Sequence, residues 1–209
     1  MKLLISLTAI VAAWAAFGQG TFEAIEDYDS NNPGQWNGTV GGEFTVTNPV
    51  TVTAIGCFDY LFGINTGPIQ VGIWNSSGTL LASSTLSSTN TLSNQSRYQA
   101  ITPLFLDPGQ TYSMGACSTN GTIYVYVASP ALGGSLLTPG EIVLGDAAQT
   151  SSAFPAAPAD MPGTPGSMFV GANFQFQDRV PEPSAGPLLG LGGLLLAGCR
   201  RWRARTPHA

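Results

Sequence analysis

The sequence predicts an all-β fold, an antiparallel β-sandwich of the jelly-roll kind. Helical periodicity is nearly absent, and short β-branched and aromatic runs alternate instead with turn-forming glycine, proline, asparagine and serine. About eight such runs at this spacing are typical of two packed antiparallel sheets. The Asp-Pro-Gly sequence at residues 107–109 is a strong turn signal between two of these runs.

The clearest local unit is a β-hairpin. Residues 69–74 carry apolar side chains at alternate positions, and residues 79–86 return after the Asn-Ser-Ser-Gly sequence at residues 75–78. Proline, alanine and glycine at residues 147–166 predict a long irregular loop, which is disordered or covers a sheet rather than binding a ligand. The other predicted strands cover residues 44–46, 50–58, 97–106, 110–117, 122–128 and 168–177.

The N-terminus carries a targeting pattern. Residues 1–20 fit a secretory signal peptide, because the basic Lys2 is followed by an uncharged apolar stretch and then by small residues that suit a cleavage site. A retained N-terminal anchor is the alternative. Export would place the domain at residues 21–179 outside the cytoplasm.

A second targeting pattern occupies residues 180–209. Its prolines keep the segment around Glu182 extended and accessible. Residues 184–199 then predict a membrane helix, although its apolar run is short against the ~20 residues that a spanning helix needs. Arginines stop transfer and hold the end of the chain in the cytoplasm. These membrane-stop residues are Arg200, Arg201, Arg203 and Arg205.

This order resembles the PEP-CTERM sorting signal of Gram-negative bacteria. The resemblance implies an exosortase as the processing partner, a membrane cysteine protease-transpeptidase that cuts near the motif and releases or re-anchors the protein at the cell surface. An ordinary C-terminal membrane anchor is the alternative. The residues that match the sorting motif are Val180, Pro181, Glu182, Pro183 and Ser184.

Three further segments resemble the DUF4082-like β-sandwich of secreted bacterial proteins. They are Thr-Val-Thr-Ala-Ile-Gly at residues 51–56, Val-Gly-Ile-Trp-Asn-Ser-Ser-Gly-Thr-Leu-Leu-Ala-Ser at 71–83, and Leu-Asp-Pro-Gly-Gln-Thr-Tyr at 106–112. The resemblance implies a surface or carbohydrate-associated module, so it supports the fold more than a function.

The charge balance limits the partners. Between Thr21 and Val180 the only basic residues are Arg97 and Arg179, against eleven acidic residues. Because phosphate binding needs a patch of lysine and arginine, nucleic acid is excluded as a partner.

Catalytic patterns are missing from the exported part. The only histidine, His208, lies in the tail, which excludes Ser-His-Asp and Cys-His arrangements and histidine-ligated zinc in the domain. We therefore expect neither an enzyme nor a cofactor, although paired carboxylates could still hydrolyse a glycoside. The candidates for such a pair are Glu23, Glu26, Asp27, Asp29, Glu43, Asp59, Asp107, Glu141 and Asp146.

Two kinds of ligand remain open. Asp27, Asp29 and Asn31 are weak candidates for Ca²⁺, but a polar turn is the favoured interpretation and no metal is expected. Aromatic rings could stack on a sugar, with Trp74 partly exposed before a turn, although core packing is the favoured role for most of them. The aromatic candidates are Trp36, Tyr60, Trp74, Tyr98, Tyr124 and Tyr126.

The cysteines predict one disulfide. Cys57 and Cys117 lie in predicted strands of an exported domain, and a bridge between them would close a loop of about 60 residues. Two buried free thiols are the alternative. Cys199 lies beside the membrane and leaves with the tail.

Together these patterns predict an exported, non-catalytic protein of the cell surface or extracellular matrix. Its precursor is anchored in the inner membrane through the C-terminal segment, and exopolysaccharide is a further partner to test. A carbohydrate-binding β-sandwich module is the alternative, and a carboxylate-based glycoside hydrolase is the less favoured one.

Overall fold

A computed structural model describes residues 20–29, 33–64, 67–120, 122–128, 135–152, 154–165 and 168–178. These residues form an all-β, sandwich-like fold, as the sequence predicts. The signal peptide, the sorting motif, the membrane segment at 184–199 and the arginine cluster lie outside the described residues. No helix within the described ranges is long and apolar enough to cross a membrane.

Sixteen strands and one single-turn helix follow one another along the described chain. The helix α1 is Leu61–Ile64. The strands are β1 (Phe22–Glu23), β2 (Asp27–Asp29), β3 (Pro33–Asn37), β4 (Thr39–Val46), β5 (Val50–Phe58), β6 (Ile69–Asn75), β7 (Leu80–Leu86), β8 (Thr91–Ser93), β9 (Ser96–Leu106), β10 (Thr111–Ser118), β11 (Thr122–Ala128), β12 (Ser135–Leu137), β13 (Ile142–Thr150), β14 (Ala159–Pro165), β15 (Met168–Val170) and β16 (Ala172–Asp178).

The strands form two large sheets. Sheet I has the order β3-β11-β15-β16-β5-β9-β8, with β1 added beside β16, and sheet II has the order β14-β13-β4-β10-β6-β7. A small pair, β2 and β12, stands apart. The pairs are antiparallel except β15 and β16, which share a parallel bridge between Val170 and Ala172 on either side of Gly171.

The core lies between the inner faces of the two sheets. Phe44 from sheet II meets Phe174 from sheet I with ring centroids 5.1 Å apart. Strand alternation sends every second side chain inward, so β6 contributes Ile69, Val71 and Ile73, all fully buried. Burial of this apolar surface is the main force that holds the sheets together.

The predicted hairpin is confirmed as β6 and β7. Asn75 fixes its turn, because the Asn75 side-chain oxygen accepts hydrogen bonds from the backbone N–H groups of Ser77 (3.1 Å) and Thr79 (2.9 Å). Gly78 closes the turn at φ +76°, a conformation that glycine adopts without steric cost.

The predicted loop at residues 147–166 is wrong over much of its length. Strand β13 continues to Thr150, and residues 159–165 form β14, so the irregular segment shrinks to residues 151–158. Strand β14 tolerates Pro162 and Pro165 because it is the edge strand of sheet II, where a missing N–H donor breaks no ladder on the free side.

Candidate functional site

The two buried cysteines do not form the predicted disulfide. Both Cys57 and Cys117 are free thiols. Cys57 belongs to the core between the sheets, whereas Cys117 is paired with the outward-facing Gln70 and alternates with the core residue Ala116. The Cys57 thiol therefore points from sheet I into the core, whereas the Cys117 thiol points to the outer side of sheet II. Burial raises the pKa of the Cys57 thiol, which keeps it protonated and unreactive.

Trp74 is not the partly exposed platform that the sequence suggested. It lies on the outer face of sheet II and is 0% exposed, because Phe154 and Pro155, from the segment that follows β13, pack on it. The indole N–H donates a hydrogen bond to the Pro155 carbonyl (3.0 Å), and Phe154 packs edge-on with ring centroids 5.7 Å apart. This segment is therefore a covering flap, one of the two forms expected for it.

Two glycines of sheet II leave the space that Trp74 and the covering segment occupy. A Cβ atom at Gly72 would lie 2.8 Å from Cη2 of Trp74, so the indole can rest on the sheet only above a glycine. A Cβ atom at Gly115 would lie 3.2 Å from Cγ of Pro158, a contact tighter than most. The part of the outer face of sheet II around Gly72 and Gly115 is thus packed by the protein itself.

The other aromatic candidates divide between packing and exposure. Trp36 packs edge-on against Phe169, with centroids 4.5 Å apart, and Tyr98 is buried. Tyr60 is 54% exposed and stacks beside Phe58. The side chains of Tyr124 and Tyr126 lie outside the described parts of β11.

Two of the residues named as candidate carboxylates, Asp59 and Asp107, have structural roles. Asp59 forms an ion pair with Arg97, whose guanidinium also donates to the Asn90 carbonyl (2.7 Å). Asp107 begins the β9–β10 turn, and its backbone N–H donates to the Tyr112 hydroxyl (3.0 Å). Neither arrangement resembles a catalytic pair.

A polar depression of about 290 Å³ lies on the outer side of sheet I. We call it the β1 depression. Strand β1 supplies one wall, the β8–β9 turn supplies the opposite wall, and β16 supplies the floor. Its lining residues are Thr21, Phe22, Glu23, Glu26, Ser93, Asn94 and Gln175.

Pairing of β1 with β16 places the first wall. Phe22 lies opposite Phe176 and Glu23 lies opposite Gln175. Because Phe176 faces the core, Gln175 must face outward into the depression. The Phe22 ring also contacts Phe176, with centroids 5.7 Å apart.

A buried amide holds the chain that follows β1. The Asn173 side chain accepts from the Ile25 N–H (3.0 Å) and donates to the Ile25 carbonyl (2.9 Å), so it pairs with this backbone as a strand would. It also donates to the Ser96 hydroxyl (3.2 Å) and the Tyr98 hydroxyl (2.8 Å). One side chain thus ties the N-terminal segment to β9 across β5.

Glu23 is 7% exposed, yet it lines the depression. Its Oε1 accepts a hydrogen bond from the Ser93 hydroxyl (2.9 Å), and its side chain also bonds with Tyr98. Burial, and then the negative charge of Glu23, raise the pKa of Tyr98. The Tyr98 hydroxyl therefore stays protonated and remains a hydrogen-bond donor.

The opposite wall is a two-residue turn. Ser93 pairs with Ser96, and Asn94 between them has φ +47°, a left-handed conformation that asparagine tolerates better than most residues. This turn holds the Asn94 amide at the rim of the depression.

The comparison with known families adds one decisive match. The family described as "Domain of unknown function (DUF4082)" matches residues 27–157, more than half of the chain. The protein belongs to the DUF4082 family. Of the β1 depression, Ser93 and Asn94 fall inside the matched range, whereas β1, Glu26 and Gln175 flank it.

Other comparisons of this DUF4082 protein add little. No curated protein matches its sequence. Among solved structures, the VP2 subviral particle of infectious bursal disease virus matches with TM-score 0.25 and 10% identity over 88% of this chain, and the chain spans 50% of that viral chain. A likeness this low bears on neither fold nor function.

The weak Ca²⁺ candidates Asp27, Asp29 and Asn31 belong to the start of the DUF4082 domain. Within the described ranges, no group of three or more histidine, cysteine, aspartate or glutamate side chains comes together. Asp27 and Asp29 lie in β2, paired with β12, and Asn31 lies outside the described residues. The suggested polar turn at Asp27–Asp29 is therefore a short strand.

Sequence reasoning found only part of the β1 depression. It named Glu23 and Glu26 as members of a long set of carboxylates, and it missed Asn94, Gln175 and the supporting Asn173. The dipeptide between Ser93 and Ser96 was the available signal, since asparagine at a strand end indicates a tight turn.

Proposed function

We propose that this DUF4082 protein is an exported, non-catalytic β-sandwich that an exosortase sorts to the cell surface or extracellular matrix. The observation that carries the proposal is the order of the C-terminal sequence, in which Pro181-Glu182-Pro183 comes before an apolar stretch and an arginine cluster. The leader at residues 1–20, the membrane helix at 184–199 and the jelly-roll arrangement of the sheets are parts of the same proposal.

The geometry of the domain suits attachment at one edge. Strand β1 is antiparallel to β16, so Phe22, near the start of the domain, lies opposite Phe176, near its end. The chain thus enters and leaves the sandwich on neighbouring strands. A domain held by that edge leaves its remaining surface accessible.

The absence of catalysis is supported by how buried polar groups are used. Asn173 holds the Ile25 backbone and bonds to the Tyr98 hydroxyl, and Arg97 pairs with Asp59. We propose that the arginines near residue 200 keep the tail of an inner-membrane-anchored precursor in the cytoplasm until processing, at ~2.5–3.5 kcal/mol for each arginine at the bilayer centre.

Processing of variants tests the sorting proposal. In a host with an exosortase, Glu182→Ala should accumulate the larger precursor on an immunoblot, because the carboxylate within the motif is removed. Glu26→Ala removes an exposed carboxylate from the domain and should process normally. Equal processing of both variants would contradict a role for Glu182 in recognition.

A carbohydrate-binding module is the second candidate. The β1 depression favours it, because carboxylates and amides converge there. The burial of Trp74 removes the aromatic platform that first suggested it. A carboxylate-based glycoside hydrolase is less favoured, since Glu23 already accepts a hydrogen bond from Ser93. Turnover of polysaccharide by the exported protein, lost in Glu26→Gln, would support the hydrolase.

A further inference from the structure

The β1 depression contains a carboxylate that is almost fully buried. Glu23 and Glu26 both line it, and Glu23 is 7% exposed. Arg97 is the sole lysine, arginine or histidine in the described ranges, and it is paired with Asp59. The described residues therefore give the Glu23 carboxylate no cationic partner.

Neutral hydroxyls alone support this carboxylate. Its described hydrogen bonds come from Ser93 and Tyr98. Desolvating a carboxylate is costly unless hydrogen bonds and opposite charge compensate it. A positively charged group in the depression would supply the missing charge, and it would find Glu26 beside it.

The remaining lining suits a ligand rich in hydroxyl groups. Asn94 and Gln175 carry amides that both donate and accept hydrogen bonds, and Thr21 adds a hydroxyl. Phe22 lies at the border of the depression, but its ring packs against the core residue Phe176 and leaves the polar groups to make the contacts.

The volume of the depression limits the size of the ligand. At about 290 Å³ the depression is at the lower end of the range for small-molecule sites. It can hold one ring or one chain end rather than a long stretch of polymer. A bare divalent cation needs less room and more acidic ligands than the described residues bring together.

We propose that the β1 depression binds a sugar residue without negative charge, and most strongly an amino sugar with a free ammonium group. The ammonium lies between Glu23 and Glu26, and the sugar hydroxyls bond to Asn94 and Gln175. Uronic acids and sugar phosphates are repelled by the same carboxylates. This binding role rests on the second candidate function, the carbohydrate-binding module, and does not depend on C-terminal processing.

The test is ligand titration of the exported protein by NMR at slightly acidic pH, where the amine is protonated. Glucosamine, glucose and glucuronate are compared, each with Ca²⁺ and with chelator. We expect glucosamine to bind about 10-fold more tightly than glucose, as one charge-assisted contact predicts, and glucuronate not to bind.

Two variants locate the site, and one controls for charge. Glu26→Gln should lower glucosamine affinity about 10-fold while changing glucose affinity about 3-fold or less. Asn94→Gly should weaken both sugars and still fold, because glycine accepts the left-handed φ of this turn. Glu43→Gln changes a carboxylate on the outer face of sheet II, the far side of the sandwich, and should alter neither affinity.

Three outcomes would overturn the proposal. The first is no binding of any of the sugars by the folded protein. The second is Ca²⁺ binding that depends on Glu26 without sugar binding, which identifies a cation site instead. The third is sugar binding that Glu26→Gln and Asn94→Gly leave unchanged, which places the site elsewhere. None of these outcomes affects the sorting proposal, whose readout is the processed C-terminus.

Discussion

Replacement of Asn173 by leucine tests how the N-terminal segment is held. Leucine keeps the approximate shape of asparagine but removes its hydrogen bonds to Ile25 and to the Tyr98 hydroxyl. Two buried backbone groups, the Ile25 N–H and the Ile25 carbonyl, would lose their partner, and the Ser96 and Tyr98 hydroxyls would each lose one hydrogen bond. Each backbone group costs about 1–3 kcal/mol when left unsatisfied, so we expect the free energy of unfolding to fall by about 3–5 kcal/mol.

Equilibrium urea unfolding of the purified protein measures this loss. Gln177→Leu is the matched control, since it lies on the same strand and the same outward face but is half-buried. We expect the control to change the free energy of unfolding by less than about 1 kcal/mol. Hydrogen exchange should also speed up at Ile25 in the Asn173 variant. A loss no larger than that of the control would refute the assigned role of Asn173.

Three further predictions address the flap, the thiols and the C-terminal strand. Trp74→Phe should lower the free energy of unfolding by about 1–2 kcal/mol and speed proteolysis within residues 151–158, since the bond to Pro155 is lost; unchanged proteolysis would argue against the flap. Alkylation of the non-reduced protein should label Cys57 and Cys117 only after denaturation, and a bridged peptide in the mass spectrum would contradict the free thiols. Burial, and then the charge of Glu141, raise the pKa of Asp178, so its proton stabilises the folded state and that contribution is lost as pH rises through the folded pKa. Asp178→Asn should therefore raise Tm at neutral pH, and the gain should disappear below about pH 4. An equal gain in Tm at every pH would contradict a raised pKa of Asp178.

Features set by local chemistry were predictable from the sequence. The β6–β7 hairpin follows from Asn75 and Gly78, because the asparagine side chain itself forms the turn and the glycine accepts its positive φ. Alternating apolar residues likewise predicted which side of β6 faces the core. These contacts join residues within a few positions of one another.

Features set by distant contacts were not predictable. Trp74 looked exposed beside its turn, but its cover comes from Pro155, 81 residues further along the chain. Strand β14 was hidden because Pro162 and Pro165 indicate a loop, unless the strand is known to lie at a sheet edge.

The β1 depression shows the same limit. Its walls come from the first strand and from the turn between the eighth and ninth strands, and its floor comes from the last strand, so no short window of sequence contains it. The weak Ca²⁺ candidates Asp27, Asp29 and Asn31 directly follow the lining residue Glu26 in the sequence, but they are not part of the lining.

The central claim is that this DUF4082 protein reaches the surface through C-terminal sorting. The most direct measurement is C-terminal peptide mapping of the protein recovered from the cell surface and from the culture medium. The account predicts a mature chain that ends within Val180–Ser184 and lacks Cys199. Recovery of surface protein that still carries the segment from Arg200 to Ala209 would contradict it and would identify the tail as a plain membrane anchor.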